Sequence, residues 1–589
     1  MKELLFMGLD GITLAAIRSE LEDKLIGGRV DKIYQPKSEL LTIRVRQPGE
    51  NLNLLLSANP QGPRVHLTNE SFDNPAQPPA FCMLLRKHLQ SGRIRKVEQP
   101  NFERILNIVI QYKDEQGQLI DKNLVIELMG RHSNVILVDH KNKILDSIKR
   151  VTDKMSRQRE VLPNKTYSPP PEQGKKNPLN HTAQEFKTLL EEHFDSQSYK
   201  AIMNSYRGIG PLMAKEISYR ANIDPYDKIT SPQDIEALYK PFSLIFNNII
   251  NNKFNPTIVM KGEEFKNFSS LELKQFDLET KEFSSISKLM DLYYKEKILR
   301  KKKQKLTEKM LSVISSNKKK AYKKYRKVNG QLKGALSSDK YKLKGELITA
   351  NIYRLKEGDT QATLENYYDN NKKIKIKLDP RLTPAENAQR YFKKYEKAKR
   401  SIKHLKNQVR KGKNEINYLK QLELSIEHSQ ELDDLIEIYE ELIDEGYIKK
   451  QKKGSKKQDR KLLPLTFKSS DGYQILVGRN NKQNDHLTKK VANDGDTWLH
   501  VKDIPGSHTI IRNHTRDEIP DSTLLEAAQI AAYYSKGRES SKVPVDYTLT
   551  KYVNKPKGAK PGMVYYDNHK TLYVEPKEEL IKSLKNKKA

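Results

Sequence analysis

One stretch near the C-terminus brings together side chains that often ligate metals or act as nucleophiles. His500, Asp503 and His508 are candidate metal ligands, and Ser507 lies beside His508. The three candidate ligands share neither one helical face nor a known short ligand spacing. Ser507 lacks the Gly-x-Ser-x-Gly sequence of a nucleophile elbow. We therefore expect no metal, no cofactor and no catalytic nucleophile here.

The same region carries an aromatic and basic pattern that suits nucleic acid. Trp498, the sole tryptophan of the chain, stands two residues before His500. Such a ring either packs in a core or stacks on a nucleotide, and both interpretations stay open. Lys555 and Lys557 lie in a loop rich in proline and glycine, where their ammonium groups could contact phosphate. We predict RNA contacts at Trp498, His500, Lys555 and Lys557.

Two polar sites interrupt apolar strands nearer the N-terminus. Glu103 and Arg104 precede one such strand, and the run Glu127-Leu128-Met129-Gly130-Arg131-His132-Ser133-Asn134 separates two others. An acid, a glycine, two bases and an amide in one turn can supply donors and acceptors for phosphate or base edges. The alternative is a polar hairpin that is capped by its own Ser and Asn. The residues alone favour the hairpin.

A long helical pair at 284–445 separates these two regions. Apolar residues recur at heptad spacing through a first limb, with a stutter near Asn317, and through a return limb that begins at Thr383-Pro384. Lys373 to Leu378 alternates like a strand and ends at a turn, which predicts a small hairpin at the tip. The pattern predicts an antiparallel coiled coil. At about 1.5 Å per residue, each limb would project on the order of 75 Å.

The charge of the first limb is one-sided. From Lys295 to Lys327 the only acids are Glu296 and Glu308, although the segment is dense in lysine and arginine. A solvated coiled-coil face mixes both signs, so this imbalance favours a polyanionic partner. We predict RNA contacts at Lys301, Lys302, Lys319 and Lys320.

The composition of the whole chain agrees with a nucleic-acid partner. The 589 residues contain 108 Lys and Arg against 75 Asp and Glu, which leaves a formal charge of +33. No apolar run approaches the ~20 residues of a membrane span, so nucleic acid is a better partner than a membrane. A single cysteine, Cys82, and a start that does not resemble a signal peptide indicate a reduced, cytoplasmic protein.

Periodicity and composition divide the chain into six segments. Helices predicted at Glu185 to Ser205 and Pro211 to Ala221 are joined by Tyr206-Arg207-Gly208-Ile209-Gly210. The Gly-x-Gly turn in this joint either brings backbone amides to a phosphate, as in helix-hairpin-helix modules, or only turns the chain. The predicted fold class is α+β multidomain. Its segments are an α+β domain at 1–152, a linker at 153–180, a helical helix-hairpin-helix domain at 181–283, the coiled coil at 284–445, a basic linker at 446–462 and a second α+β domain at 463–589.

Five motifs resemble those of the NFACT family, and they occur in the family's order. They are Asp10-Gly11, Pro78 to His88, Met129 to Asn134, Gly345 to Asn351 and Asp503 to His508. The resemblance covers essentially the whole chain and implies two NFACT domains separated by a helix-hairpin-helix module and a coiled coil. It also implies a ribosome quality-control factor that binds large ribosomal subunits with peptidyl-tRNA, recruits alanyl-tRNA and supports template-free alanine tailing. The ribosome would make the peptide bond, so the chain would be no enzyme; a small ribosome-associated co-factor protein (RqcP-like) is an implied partner.

The resemblance also assigns site residues by position. Asp10 matches the family's N-terminal Asp-Gly motif, Glu103-Arg104 matches its Asp-Arg pair, and Glu127 matches the Glu before the Met-Gly-Arg-His-Ser-Asn run. Together with Arg131 and His132, these positions imply a tRNA-binding surface. Glu103 departs from the family's Asp, and its extra methylene moves the carboxylate by on the order of 1 Å, enough to matter in a positioned site.

Two other functions remain as alternatives. Family members have been labelled fibronectin-binding, so a fibronectin-binding surface adhesin is one, although neither an export signal nor a sorting motif is visible. The N-terminal domain of the family is also similar to that of formamidopyrimidine-DNA glycosylases. Those enzymes use an N-terminal proline amine, whereas position 2 here is Lys2. We therefore expect no base-excision chemistry.

Overall fold

The computed structural model describes residues 9–113, 116–429, 431–449, 463–514 and 517–586. They fall into two compact units, one ending at Ile298 and one starting at Leu299. Most of the predicted basic linker at 446–462, and Lys2, lie outside the described residues. None of the described helices is both long enough and apolar enough to cross a membrane.

An antiparallel sheet dominates the described part of the first unit. Its nine strands are β1 (Arg29–Lys37), β2 (Leu40–Gln47), β3 (Glu50–Ser57), β4 (Arg64–Leu67), β5 (Arg93–Glu98), β6 (Ile105–Lys113), β7 (Leu119–Glu127), β8 (Asn134–Val138) and β9 (Ile144–Ser147). They pair in the order β4-β3-β2-β1-β5-β6-β7-β8-β9. Most neighbours in the sheet are therefore consecutive in the chain, as short antiparallel connections allow.

Two helices pack into one core with this sheet. They are α1 (Gly11–Leu25) and α2 (Ala80–Leu89). Ile17 and Leu21 of α1 and Cys82 and Leu85 of α2 are buried in it. Cys82 is therefore a small core side chain, and the predicted α+β class of this domain is confirmed.

The segment at 153–180 differs from the predicted linker. Val161 is buried with Val125 and Ile136 in a second cluster on the sheet, and Thr166 pairs with Lys143 in an antiparallel bridge. Proline-rich composition predicts an extended chain, but it does not show whether that chain lies in solvent or on a sheet. The first half of this segment therefore belongs to the N-terminal domain.

Helices and a small sheet complete the described part of the first unit. They are α3 (Ala183–Glu191), α4 (Ser198–Ser205), α5 (Pro211–Arg220), α6 (Pro232–Ile250), β10 (Thr257–Lys261), β11 (Glu264–Ser269) and β12 (Glu279–Glu282). The single helix predicted from Glu185 to Ser205 is interrupted between α3 and α4. Asp195 has a φ of +62° there, and such left-handed residues end helices.

Long helices open the second unit. The elements are α7 (Ile286–Leu336), which begins in the first unit, then α8 (Asp339–Ala350), β13 (Gln361–Asn366), β14 (Lys372–Lys377), α9 (Pro384–His428) and α10 (Leu432–Asp444). Lys318 of α7 pairs with Glu423 of α9 at 2.6 Å, and Tyr325 lies against Gly412. Numbers fall along α9 as they rise along α7, so the two helices are antiparallel. β13 and β14 form a hairpin between them.

α10 packs as a third helix against the predicted pair of helices. Met310 of α7, Leu419 of α9 and Ile438 of α10 are buried in one cluster. Three helices therefore meet at this level. Heptad spacing in two limbs does not show that a third amphipathic helix folds back onto them.

The C-terminal domain is built on a six-stranded antiparallel sheet of described residues, in the order β15-β16-β18-β17-β19-β22. The elements are β15 (Leu465–Lys468), β16 (Gln474–Val477), α11 (Asn481–His486), β17 (Thr497–Val501), β18 (Thr509–Ile511), α12 (Asp521–Tyr533), β19 (Val543–Leu549), β20 (Val553–Asn554), β21 (Tyr565–Tyr566), β22 (Lys570–Val574) and α13 (Glu578–Asn586). The α+β class predicted for this segment is confirmed.

Polar contacts join α10 to the start of α11. Asn480 donates to Glu437 at 2.6 Å, and Asn481 donates to Glu441 at 3.0 Å. Glu441 is fully buried and also accepts the Tyr418 hydroxyl at 2.6 Å. This burial raises the pKa of Glu441 to about 7.

Candidate nucleic-acid interface

Asp10 and Gly11 interlock with the Gly208-Ile209-Gly210 turn. Asp10 caps α1 by accepting the Thr13 amide at 2.8 Å, and its other oxygen accepts the Gly210 amide at 3.4 Å. The Gly11 amide donates to the Gly208 carbonyl at 2.7 Å. Burial raises the pKa of the Asp10 carboxyl, and these hydrogen bonds oppose the shift. The contact joins the N-terminal domain to the helical one.

The glycines in this contact leave no space for side chains. A Cβ at Gly208, whose φ is +73°, would overlap the Phe102 carbonyl oxygen and lie 2.6 Å from the ring carbon Cδ1. A Cβ at Gly11 would lie 2.6 Å from the Gly208 Cα. Backbone meets backbone here, which only glycine permits.

Glu103 and Arg104 lie directly beside this contact. The Gln99 amide group donates both to the Gly11 carbonyl at 2.9 Å and to the Glu103 carbonyl at 3.0 Å. The Arg104 carbonyl accepts the Leu128 amide at 2.9 Å. The Glu103 side chain remains 32% exposed. Both backbones are thus held in place while a charged side chain reaches solvent.

Two further cations lie beside Glu103: Arg207 of the helical domain and Lys175 of the segment before it. Arg207 Nη1 lies 4.0 Å from a Glu103 carboxylate oxygen, and its Nε and Nη2 donate to the Lys175 carbonyl at 2.9 and 2.7 Å. Burial lowers the pKa of Lys175; nearby Glu103 opposes this shift and Arg104 adds to it. We call Asp10, Glu103, Arg104, Lys175 and Arg207 the seam site.

Lys175 and Arg207 were not predicted as site residues. Lys175 lies in the segment interpreted as a linker, and Arg207 was noted only as part of the turn that precedes Gly208. Arg207 could have been suspected, because a base next to a Gly-x-Gly turn is well placed for anions. Nothing in the local sequence marks Lys175.

Glu127 does not belong to the surface that the resemblance implies. Its side chain is fully buried, and it forms a two-pronged ion pair with Arg159. Tyr167 donates its hydroxyl to the same carboxylate at 3.0 Å. A buried acid with such partners cannot touch RNA directly, so the prediction for Glu127 is corrected to a structural role. The partners come from the segment interpreted as a linker, which is why the sequence did not reveal them.

Arg131 and His132 project from the next turn and are exposed. Gly130, with a φ of +58°, shapes the turn, and Arg131 Nε donates to His132 Nε2 at 2.9 Å. Asn134 points inward and bonds the Lys149 backbone through both amide atoms. The run is thus a hairpin that Asn134 caps and that carries two exposed bases, whereas the Ser133 hydroxyl has no hydrogen-bond partner among the described residues. Nucleic-acid contact at this turn stays a prediction.

Trp498 corrects the prediction of a stacking surface in the C-terminal domain. Its ring is fully buried. It stacks on His500 with ring centroids 5.7 Å apart and packs on Tyr566 at 4.7 Å. A ring without exposed area cannot stack on a nucleotide.

The nearby histidines also face inward. His500 is half-buried, and its Nε2 lies 3.2 Å from the Gly506 carbonyl. His508 is buried with Nδ1 2.7 Å from the Thr488 hydroxyl, and burial lowers the pKa of His508 to about 3. No group of metal-ligating side chains occurs among the described residues. The predicted RNA role of His500 therefore has little exposed area to support it.

The loop lysines of this domain differ in exposure. Lys555 is mostly buried and paired with Asp485. Lys560 pairs with Glu415 at 2.8 Å and lies over the rings of Tyr418 and Tyr447. Lys557 is exposed. Lys557 can meet an external phosphate directly, whereas the side chain of Lys555 holds its own loop.

The predicted lysines of α7 lie on the surface. Lys301, Lys302, Lys319 and Lys320 are all exposed. Neighbouring lysines turn toward other helices, as Lys318 does to Glu423. The exposed set forms a basic surface, and its contact with RNA stays a prediction.

Two protein-family models match the chain. The model of the NFACT N-terminal and middle domains matches residues 10–461. The chain belongs to the NFACT family. The model of the NFACT protein RNA binding domain matches residues 464–568, which is the domain that carries Trp498 and Lys557.

Named relatives match this chain over most of its length. The "Rqc2 homolog RqcH" of Bacillus subtilis is 41% identical over 584 residues, which cover 98% of this chain and 100% of that protein. The "Ribosome quality control complex subunit NEMF homolog" of Drosophila melanogaster is 22% identical and covers 90% of this chain and 60% of that protein. Among solved structures, the N-terminal part of the fibronectin/fibrinogen-binding protein from Streptococcus suis is 32% identical and covers 49% of this chain and 99% of that one, with a TM-score of 0.42.

Proposed function

We propose that this NFACT protein is a ribosome quality-control factor. It binds large ribosomal subunits that carry peptidyl-tRNA, recruits alanyl-tRNA and supports template-free alanine addition to the stalled chain. The names of its relatives support the quality-control role, and a formal charge of +33 suits an RNA partner. The peptide bond is left to ribosomal RNA, so the chain positions substrates.

The seam site is the observation that carries the tRNA-binding part of this proposal. Glu103 and Arg104 are held by backbone hydrogen bonds at a junction of two domains, and the Glu103 carboxylate stays partly exposed. A rigid backbone with charged side chains at its surface is what phosphate and sugar recognition requires. The exposed lysines of α7 supply a separate surface for ribosomal RNA.

The first experiment is to purify the protein from cells at moderate salt and sequence the RNA that accompanies it. We expect large-subunit RNA together with one enriched alanine tRNA. The same purification at higher salt should reduce both, since phosphate contacts weaken steeply with salt. Unselective RNA without large subunits would contradict the proposal.

Two sets of variants separate the two surfaces. Arg104→Ala should lose tRNA and alanine tails while large subunits still copurify; Arg95→Ala, an exposed arginine on β5, is the matched control. Changing the α7 lysines to glutamate should instead lose large subunits. Alanine tails are measured by mass spectrometry. Tails that persist unchanged in Arg104→Ala would exclude the seam site as the tRNA-binding site. The α7 set is Lys301→Glu, Lys302→Glu, Lys319→Glu and Lys320→Glu.

A further inference from the structure

The turn that would ordinarily bind phosphate in a helical hairpin is already occupied. In such hairpins a Gly-x-Gly turn offers backbone amides to an anion. Here the Gly210 amide faces the Asp10 carboxylate at 3.4 Å, and the Gly208 carbonyl accepts the Gly11 amide. The internal carboxylate stands in for the oxygens of a phosphate. An RNA backbone must therefore be held beside this turn rather than on it.

Arg207 offers a donor next to the occupied turn. Its Nε and Nη2 are committed to the Lys175 carbonyl. Its Nη1 lies 4.0 Å from Glu103 and 3.9 Å from Glu172. Both distances exceed hydrogen-bond range, and Glu172 is 74% exposed. The two hydrogen bonds to the Lys175 carbonyl fix the Arg207 guanidinium. Its Nη1 is left at a distance from both carboxylates at which a phosphate oxygen could come closer than either of them.

Lys175 stands at the same place. The bridge between Lys176 and Tyr206 fixes its backbone against the turn, and the Arg207 hydrogen bonds fix its carbonyl. Its ammonium interacts electrostatically with both Glu103 and Arg104, and burial lowers the pKa of Lys175. An ammonium that has lost part of its hydration gains more from an anion than a solvated lysine does.

We propose that Arg207 of the helical domain and Lys175 of the segment before it, together with Arg104 of the N-terminal domain, bind one backbone phosphate of the tRNA. The inference rests on the proposed tRNA-binding function and adds residues from a second domain to it. Arg207 faces Glu103 and the exposed Glu172, and Lys175 lies near Glu103 and Arg104, so the three cations are gathered at one place. Because the cations come from two domains, the phosphate binds across their junction.

Lys175→Ala is a clean test because the side chain of Lys175 does not hold the structure. Arg207 bonds the carbonyl of Lys175, which alanine keeps. Lys176→Ala is the matched control: Lys176 is the next residue, its ammonium lies 4.0 Å from Glu185, and it is 57% exposed. Lys175→Arg, which retains the charge, serves as the rescue variant.

The measurement is binding of fluorescently labelled bulk bacterial tRNA to the full chain as a function of salt. Lys175→Ala should weaken binding by about tenfold, the size of one charge-assisted hydrogen bond. It should also lower the slope of log affinity against log salt by about 0.7 to 0.9, the loss of one phosphate contact. Lys175→Arg should stay close to the wild type, and Lys176→Ala should change neither quantity.

The outcomes separate this inference from the proposed function. A wild-type chain that binds tRNA, with Lys175→Ala matching Lys176→Ala, would overturn the phosphate site alone. A wild-type chain that binds no tRNA would overturn both. Arg207→Gln should weaken tRNA binding more than Lys175→Ala does. Because Arg207 also holds the Lys175 carbonyl, the thermal unfolding midpoint of this variant must be measured as well. Equal affinity of a folded Arg207→Gln variant would remove Arg207 from the site.

Discussion

The seam site and the Trp498 region are both dense in acids, bases and rings, yet they use them in opposite ways. At the seam, Glu103 is 32% exposed and Arg131 and His132 project from a neighbouring turn. Around Trp498, the rings of His508 and Tyr566 both pack on the indole, and Trp498 itself is fully buried. The difference follows from placement: the first set lies in turns at a domain junction, and the second lies on a strand covered on both faces. In these two regions, the polar motif whose backbone leaves the sheet keeps exposed side chains, and the motif on the sheet buries them.

The largest expected effect comes from removing the Glu127 carboxylate, which tests whether the buried cluster of Glu127, Arg159 and Tyr167 stabilises the fold. Glu127→Ala leaves the mostly buried Arg159 without its partner, so stability should fall by about 3–5 kcal/mol. Urea unfolding followed by circular dichroism measures this. Arg131→Ala, exposed in the next turn, should change stability by less than about 0.5 kcal/mol. A stable Glu127→Ala protein that loses only tRNA binding would return Glu127 to the surface.

Trp498→Ala tests the opposite region. The ring is fully buried against His500 and Tyr566, so its loss should destabilise the C-terminal domain by about 3–5 kcal/mol. Scanning calorimetry of the full chain measures the transition. Tyr573→Ala is the control, since that ring is 63% exposed. Unchanged stability combined with lost RNA binding would mean that the indole meets RNA after all.

The pH dependence of Glu441 extends the comparison to a buried acid. Burial raises its pKa from 4.5 to about 7, so the folded state holds the proton more tightly than the unfolded state. The stabilisation is complete below the unfolded pKa and is lost as pH rises to about 7, by at most about 1.4 kcal/mol per pH unit. Glu441→Gln can still accept from Tyr418 and should remove this loss. Parallel stability curves for the two proteins between pH 5 and about pH 7 would contradict the assignment.

The glycine contact of the seam can be tested with a matched pair. Gly208 and Gly174 both have positive φ, but a Cβ at Gly174 meets no described atom within 4 Å. Gly208→Ala should cost about 1–3 kcal/mol more than Gly174→Ala, because its methyl group overlaps Phe102. Thermal unfolding midpoints measure the difference. Equal midpoints would show that the contact can open without cost.

The smallest expected effect concerns the two loop lysines. Lys557→Ala removes an exposed charge and should lower the salt slope of RNA binding by about 0.7 to 0.9, with stability unchanged. Lys555→Ala should act mainly on stability, since Lys555 pairs with Asp485. RNA titrations at several salt concentrations measure the slopes. Identical salt slopes for the two variants would show that exposure does not separate their roles.

Local patterns predicted those parts of the fold that depend on nearby residues. The return helix was placed at Thr383-Pro384, and Thr383 does cap α9 in a reciprocal pair with Glu386. Such a cap needs only four neighbouring residues. No strand was predicted at Trp498 and His500, which the structure places on β17 with their rings stacked.

Contacts between distant segments could not be predicted in this way. Alternation shows which residues share a face, but not that both faces of β17 are covered, which decides the burial of Trp498. Glu127 meets Arg159 only because an extended, proline-rich segment lies on the sheet. Lys175 and Arg207 meet Glu103 only through the packing of distant segments. In each case the deciding partner comes from outside the motif.

The single tryptophan has an optical consequence. Light absorbed by indole but not by tyrosine excites one place in all 589 residues, the enclosed space between His500, His508 and Tyr566. The wavelength and intensity of that emission depend on the polarity and the quenching groups around the ring. The unaltered protein therefore carries an intrinsic label for its C-terminal domain. Without any dye, emission during titration with RNA or ribosomal subunits would show whether this domain rearranges when the rest of the chain binds.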